Sequence, residues 1–144
     1  MRLLIDADGC PVVRLATDCA RRHGIPAMLV CDTAHWFELP GVETITVAKG
    51  ADSADFRLVN LVQPGDIVVT QDYGLAAMCL SRRAAALDQN GRIYSEDNID
   101  SLLLARHTAR KLRSAGVRLK GPARRTPAQD EAFLTALEAL MSEC

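Results

Sequence analysis

The chain has 144 residues, a length that suits one domain, and is 49% hydrophobic but only 4% aromatic, so its core must be aliphatic. Its five cysteines (Cys10, Cys19, Cys31, Cys79 and Cys144) are odd in number and lack C-x-x-C spacing, which argues against a disulfide framework and against a zinc site. A net charge of −1, apolar runs too short for a bilayer and the absence of a secretory pattern around Leu3–Ile5 lead to the expectation of a cytoplasmic protein without a membrane partner.

Arg2–Asp6 reads as a short buried strand. Pro11 can open a helix whose apolar stripe is Val12, Leu15, Ala16, Cys19 and Ala20, with Gly24 as its stop. Ala27–Cys31 is a second strand, followed by a loop over Asp32–Gly41 that carries His35, Trp36 and Phe37. Thr44–Ala48 is a third strand. Asp52 or Ser53 can cap the next helix, whose apolar positions are Phe56, Val59, Leu61 and Val62 and which ends at Gln63-Pro64-Gly65. Asp66–Thr70 is a fourth strand and Leu75–Ala86 a helix. Leu87–Tyr94, broken by Asp88-Gln89-Asn90-Gly91, suits a hairpin or short edge strand. A long helix runs from about Asn98 to Ser114 and stops at Gly116, and residues 117–125 form a basic loop. The last helix has Thr126 as cap, Pro127 in its first turn, Gln129 in the capping-box position, and Phe133, Leu134, Leu137 and Leu140 as its buried stripe. Strands alternating with helices predict a single α/β domain over residues 1–144, a three-layer sandwich with a mainly parallel central sheet.

The carboxylates carry the chemistry. Asp6 closes the run Leu3-Leu4-Ile5, and Asp8 follows two residues later; Asp72 follows Ile67-Val68-Val69 by way of Thr70 and Gln71. A carboxylate beside a buried strand is costly unless it is paired or bound to a cation. Parallel strands would bring Asp6 and Asp72 to the edge where open α/β sheets bind ligands. Asp52 and Asp55, three apart at a helix start after the third strand, would join them there. Oxygen donors of this kind suit Mg²⁺ or Mn²⁺. Asp6, Asp55 and Asp72 form the central set. Asp8 and Asp52 have alternative roles as helix caps or first-turn acids, and Asp72 has the fewest such alternatives.

Charge is unevenly spread. Residues 1–100 hold 14 acids and 9 bases, whereas residues 101–144 hold 8 bases and 4 acids, and no acid falls between Arg106 and Arg125. Arg106, Arg110 and Arg113 lie at i, i+4 and i+7 on one helix stripe, and Arg118, Lys120, Arg124 and Arg125 continue the run. Leu102, Ala105, Ala109 and Leu112 form the neighbouring stripe, expected to face the core. A basic surface beside an acidic pocket suits a polyanion held next to a metal. His23, His35 and His107 show no ligand spacing among themselves. Cys10 precedes a proline at a helix start, where a thiol pKa can fall, but no histidine is placed to activate it. No nucleotide-binding glycine loop is present.

Three stretches resemble the YaiI/YqxD family of bacterial proteins. They are Asp6-Ala7-Asp8-Gly9-Cys10-Pro11, Gly50-Ala51-Asp52-Ser53-Ala54-Asp55-Phe56, and the run from Gly65-Asp66 through Thr70-Gln71-Asp72-Tyr73-Gly74 to Leu75-Ala76. Asn98-Ile99-Asp100, the Arg106 helix and Lys120-Gly121-Pro122 extend the likeness; Gly9, where the family usually has alanine, is a departure. That family is similar to PIN-like nucleases, whose acidic cluster binds Mg²⁺ or Mn²⁺ at the C-terminal edge of a parallel sheet. The resemblance implies that Asp6 is the first-strand aspartate, Asp52 or Asp55 the helix-borne acid, Asp72 the acid after the later strand, and Thr70 the hydroxyl residue before it. It implies a PIN-like fold and a metal-dependent phosphodiesterase acting on RNA or single-stranded nucleic acid, with catalytic Asp6, Asp55 and Asp72. Two alternatives stand beside it. One is a haloacid-dehalogenase-like phosphatase with Asp6 as nucleophile, Asp8 as acid/base, Thr70 as the second-strand hydroxyl and Lys49 as a basic partner. The other is a non-catalytic nucleic-acid- or protein-binding module with a vestigial acidic site.

Overall fold

The computed structural model describes residues 1–32, 39, 41–48, 53–119 and 124–143. The elements run β1 (Leu3–Asp6), α1 (Val13–Arg22), β2 (Ala27–Asp32), β3 (Glu43–Val47), α2 (Ser53–Leu61), β4 (Ile67–Val69), α3 (Tyr73–Ser81), β5 (Ala85–Leu87), α4 (Glu96–Ser114) and α5 (Pro127–Met141). The five strands form one all-parallel sheet in the order β3-β2-β1-β4-β5. Side chains alternate across each strand, so the aliphatic runs serve two cores. Leu3 and Ile5 of β1 pack with Leu29, Ile67 and Leu87 beneath α1 and α5. Leu4 points the other way, with Val30, Val68 and Ala86, beneath α2, α3 and the start of α4. Helices thus cover both faces of the sheet, giving the expected three layers. Each fully buried Leu or Ile contributes roughly 1.5–3 kcal/mol, so these few strand residues carry much of the stability.

Several local expectations change. The helix predicted over Leu75–Ala86 stops at Ser81; Arg83 adopts a φ of 65° and the chain turns back into β5. The alanines have high helix propensity, but pairing Ile67–Val69 with Ala85–Leu87 completes the sheet and overrides it. The turn around Asn90-Gly91 does form, closed by one antiparallel bridge between Leu87 and Ile93 and by the Asp88 carboxylate, which accepts the N–H groups of Asn90 (2.8 Å) and Arg92 (2.9 Å). In α2 the buried positions are Leu58 and, just past its end, Val62, whereas Phe56 is 63% exposed. Helix α4 starts at Glu96, earlier than expected, because Ser95 and Asn98 cap each other. Its neighbouring stripe meets the core only at Leu102, which packs against it partly buried: Ile99 is the buried residue of this helix, and Leu112 is 40% exposed. Helix α5 starts as predicted, with the Gln129 side chain accepting the Thr126 N–H at 2.9 Å. Asp52, Lys49 and Lys120, and the loop residues His35, Trp36 and Phe37, lie outside the described residues. Among the described residues no helix is long and apolar enough to cross a membrane.

Candidate functional site

Strand order reverses between β1 and β4: from β1 the sheet grows through β2 to β3, and from β4 to β5. A crevice opens at the carboxyl edge of such a switch point, because the following connections leave in opposite directions. Asp6 is the last residue of β1, and Thr70, Gln71 and Asp72 follow β4 directly. The topology therefore sets the two strand-end acids side by side.

Thr70 joins them. Its hydroxyl donates to Asp6 Oδ2 at 2.9 Å and accepts the Asp72 backbone N–H at 3.0 Å. From the other side, the buried Tyr94 hydroxyl donates to the Thr70 carbonyl at 3.1 Å, and the Tyr94 ring meets Tyr73 edge-on at 5.9 Å. The Gln71 amide donates to the Gly9 carbonyl at 3.0 Å, which ties the loop after β4 to the loop after β1. Sequence reasoning missed both supports. Gln71 carried a faint signal, lying between Thr70 and Asp72, whereas Tyr94 is 24 residues from its partner and carried none.

The structural roles of the acids differ from expectation. Asp72, for which the sequence offered the fewest structural roles, is the N-cap of α3; its Oδ1 accepts from Gly74 N (2.9 Å) and Leu75 N (3.2 Å). Asp8 is not a helix cap; both its oxygens lie within reach of the Asp32 N–H at the end of β2, at 3.3 and 3.1 Å. Asp6 has a raised pKa of about 6. Burial is the main cause, the charges of Asp8 and Asp72 add to it, and the Thr70 hydrogen bond opposes it. Burial also pushes the Cys10 thiol up, with the Asp6 charge adding to it, so the helix start does not activate it.

Asp6, Asp8 and Asp72 line one open cleft of about 650 Å³. Its opposite wall is α4, which contributes Leu102, Ala105 and Ala109, together with Arg106 and Arg113. The stripe expected to face the core is thus mostly a cleft wall. Arg106 Nη1 stands 3.5 Å from Asp72 Oδ1, both side chains being partly exposed. The cleft is a carboxylate floor facing a guanidinium wall. Asp55 is half-buried in the first turn of α2 and is not part of the lining; the Cys79 thiol, pushed up chiefly by burial, is raised further by the charges of both Asp55 and Asp6. Arg110, Arg118 and Arg124 are exposed. Arg125 is committed elsewhere: it donates to Asp130 Oδ1 (2.7 Å), Asn90 Oδ1 (2.8 Å) and the Gln89 carbonyl (2.6 Å), pinning the turn after β5 to α5. Sequence spacing cannot separate such a brace from a surface charge.

Among the described residues, the one group of three metal-type ligand atoms that all lie within 4.8 Å of one another is Cys19, His23 and Glu138, not the cleft acids. The cleft is therefore wider than a closed three-ligand cage. Such spacing fits Mg²⁺, which is usually held by one or two carboxylates and keeps several waters. The half-buried Asp6 carboxyl, beside two like charges, is the local feature that a cation would relieve.

The sequence pattern described as "Uncharacterized BCR, YaiI/YqxD family" matches residues 4–143. The chain belongs to the YaiI/YqxD family. It is 51% identical over 143 residues to a UPF0178 protein of Exiguobacterium sibiricum, covering 99% of this chain and 98% of the relative. A UPF0178 protein of Ruminiclostridium cellulolyticum is 50% identical over 137 residues, covering 95% and 90%. That of Clostridium acetobutylicum is 44% identical over 143 residues, covering 98% and 97%. A crystal structure of a Rae1 (YacP) mutant from Bacillus subtilis aligns with all of this YaiI/YqxD chain and all of its own, at 16% identity and a TM-score of 0.45.

Proposed function

We propose that this YaiI/YqxD protein is a divalent-metal-dependent phosphodiesterase that cleaves RNA or single-stranded nucleic acid. The observation that carries the proposal is the cleft at the sheet's switch point, with Asp6, Asp8 and Asp72 on one side and Arg106 and Arg113 on the other. Asp6 and Asp72 would hold Mg²⁺ or Mn²⁺, with Asp8 beside them; Asp55 and Asp52, on and before α2, complete the acidic set inferred from the resemblance to PIN-like nucleases. When bound, such an ion supplies Lewis-acid activation of water and stabilises charge developing on the phosphate. The protein's own contribution is positional. Thr70 fixes the Asp6 carboxylate relative to the Asp72 backbone, and the α3 cap holds the Asp72 side chain. Arg106 and Arg113 supply guanidinium groups suited to phosphate oxygens, extended by exposed Arg110, Arg118 and Arg124. Arg125, already held by three partners, is left out of that surface.

The phosphatase alternative needs an ionised Asp6 nucleophile and a mobile Asp8 acid/base. An Asp8 side chain fastened to the Asp32 N–H favours a holding role instead. The test is cleavage of a labelled single-stranded RNA in Mn²⁺ by wild type and by Asp72→Asn. Asparagine keeps the α3 cap, so the variant should fold and lose metal-dependent cleavage. Equal cleavage by both proteins refutes the proposal. Salt-sensitive binding without cleavage under any divalent ion would instead establish the non-catalytic module.

A further inference from the structure

A separate set of side chains lies on the α1–α5 side of the sheet. We propose that Cys19, His23 and Glu138 form a Zn²⁺ site that clamps α5 to α1. Cys19 and His23 are four residues apart, so the sulfur and the imidazole share one face at the end of α1, and Glu138 reaches them from α5. Their ligand atoms all lie within 4.8 Å of one another. Zn²⁺ distances of 2.0–2.3 Å imply ligand–ligand separations of about 3.5 Å in a tetrahedron, so the set must contract by at most about an ångström. His23 and Glu138 can move that far, because the imidazole is exposed and the Glu138 side chain is 46% exposed. Cys19 is the fixed point: it is fully buried, and its Sγ stands 3.7 Å from the Met141 thioether.

The donor types choose the ion. A thiolate, an imidazole and a carboxylate make a mixed soft and borderline set that suits Zn²⁺, with the fourth position left to water. Mg²⁺, the ion suited to the acidic cleft, takes oxygen ligands, so the two sites differ in chemistry as well as in place. One nearby group opposes binding. Arg22 Nη2 lies 3.7 Å from Glu138 Oε1, and the same guanidinium acts on the Cys19 thiol. Metal binding must displace this ion pair, which makes Arg22 the residue that limits affinity. The site would join the last helix to the first, two elements far apart in the chain that already meet through apolar contacts, the Cys19–Met141 sulfur contact and this exposed pair.

The full chain, stripped by chelator, is titrated with Co²⁺ and then with Zn²⁺. The expected result is a thiolate-to-cobalt charge-transfer band with tetrahedral visible bands, both abolished by stoichiometric Zn²⁺, and a rise in Tm on Zn²⁺ addition. Cys10→Ser should keep the band, and so should Asp72→Asn, which separates this site from the cleft. His23→Ala and Glu138→Gln, both at the surface, should each weaken Zn²⁺ binding at least about tenfold. Arg22→Ala should tighten it. Because Cys19→Ser can disturb the core, the surface variants decide. Absence of a thiolate band, or a band of unchanged affinity in both His23→Ala and Glu138→Gln, overturns the proposal.

Discussion

Replacing Asp6 with asparagine should stabilise the metal-free protein at neutral pH, although it removes a residue from the middle of the candidate site. The Asp6 carboxyl rises from 3.8 to about 6 on folding, chiefly through burial and with the help of Asp8 and Asp72. A folded pKa above the unfolded one means that the native state binds more protons between about pH 4 and pH 6, so stability falls as pH rises through that window. A shift of about two units corresponds to about 3 kcal/mol withheld from the native state above pH 6. Asparagine carries no charge and its amide oxygen can still accept the Thr70 hydroxyl, but its NH₂ group must itself be accommodated, at roughly 1–2 kcal/mol. The net gain expected for Asp6→Asn at pH 7.5 in chelator is therefore about 1–2 kcal/mol, or about 3–4 °C in Tm per kcal/mol. Urea unfolding of both proteins from pH 4 to pH 8, with unchanged m, measures it directly. The difference between the two curves isolates Asp6 from every other titrating group. It should be near zero or in favour of wild type at pH 4, and should grow toward the variant up to about pH 6.5. A difference curve that is flat across this range, or that favours wild type at pH 7.5, would refute the burial account of Asp6. Adding Mn²⁺ should reverse the order: a ligand at a hundredfold its Kd stabilises by about 2.7 kcal/mol, which the variant would forgo.

Asp72→Ala should cost about 1 kcal/mol by uncapping α3, while Asp72→Asn stays within about 0.5 kcal/mol of wild type; thermal melts of the two distinguish cap from charge. Arg106→Ala should weaken binding of single-stranded RNA and lower the slope of log K against log salt by about 0.7, read by fluorescence anisotropy at several KCl concentrations, with stability changed by less than about 1 kcal/mol. Gly91 has a φ of 87°, and a Cβ there would sit 2.5 Å from the Ala132 carbonyl oxygen of α5. Gly91→Ala should therefore destabilise by about 2–4 kcal/mol in urea unfolding, combining left-handed backbone strain with displacement of α5.

Short aliphatic runs separated by amphipathic helices leave little choice beyond a parallel sheet covered on both faces, and the capping pattern Thr126-Pro127-Ala128-Gln129 announced the last helix to the residue. The acids at the ends of two such runs were equally legible, because a charge next to buried apolar residues violates the local pattern and asks for a reason. Local pattern failed at Ala84-Ala85-Ala86-Leu87. Composition there favours helix, and only the open hydrogen-bonding edge of β4 makes it a strand. It failed also for the arginines, since Arg106, facing Asp72 across a cleft, and Arg125, bracing a turn against α5, look alike along the chain. The capping role of Asp72 was within reach, three residues before Leu75, but was obscured by expecting the helix to begin later.

What the residues determined alone is therefore the set of elements and the presence of misplaced charge. What tertiary structure decided is adjacency: strand order put β1 beside β4, so that Asp6 and Asp72 share one hydroxyl, and helix packing brought Glu138 to Cys19 and His23. The physical reason is range. Periodicity and capping act over a turn or two of chain, whereas a site is assembled from groups whose separation in sequence says nothing of their separation in space.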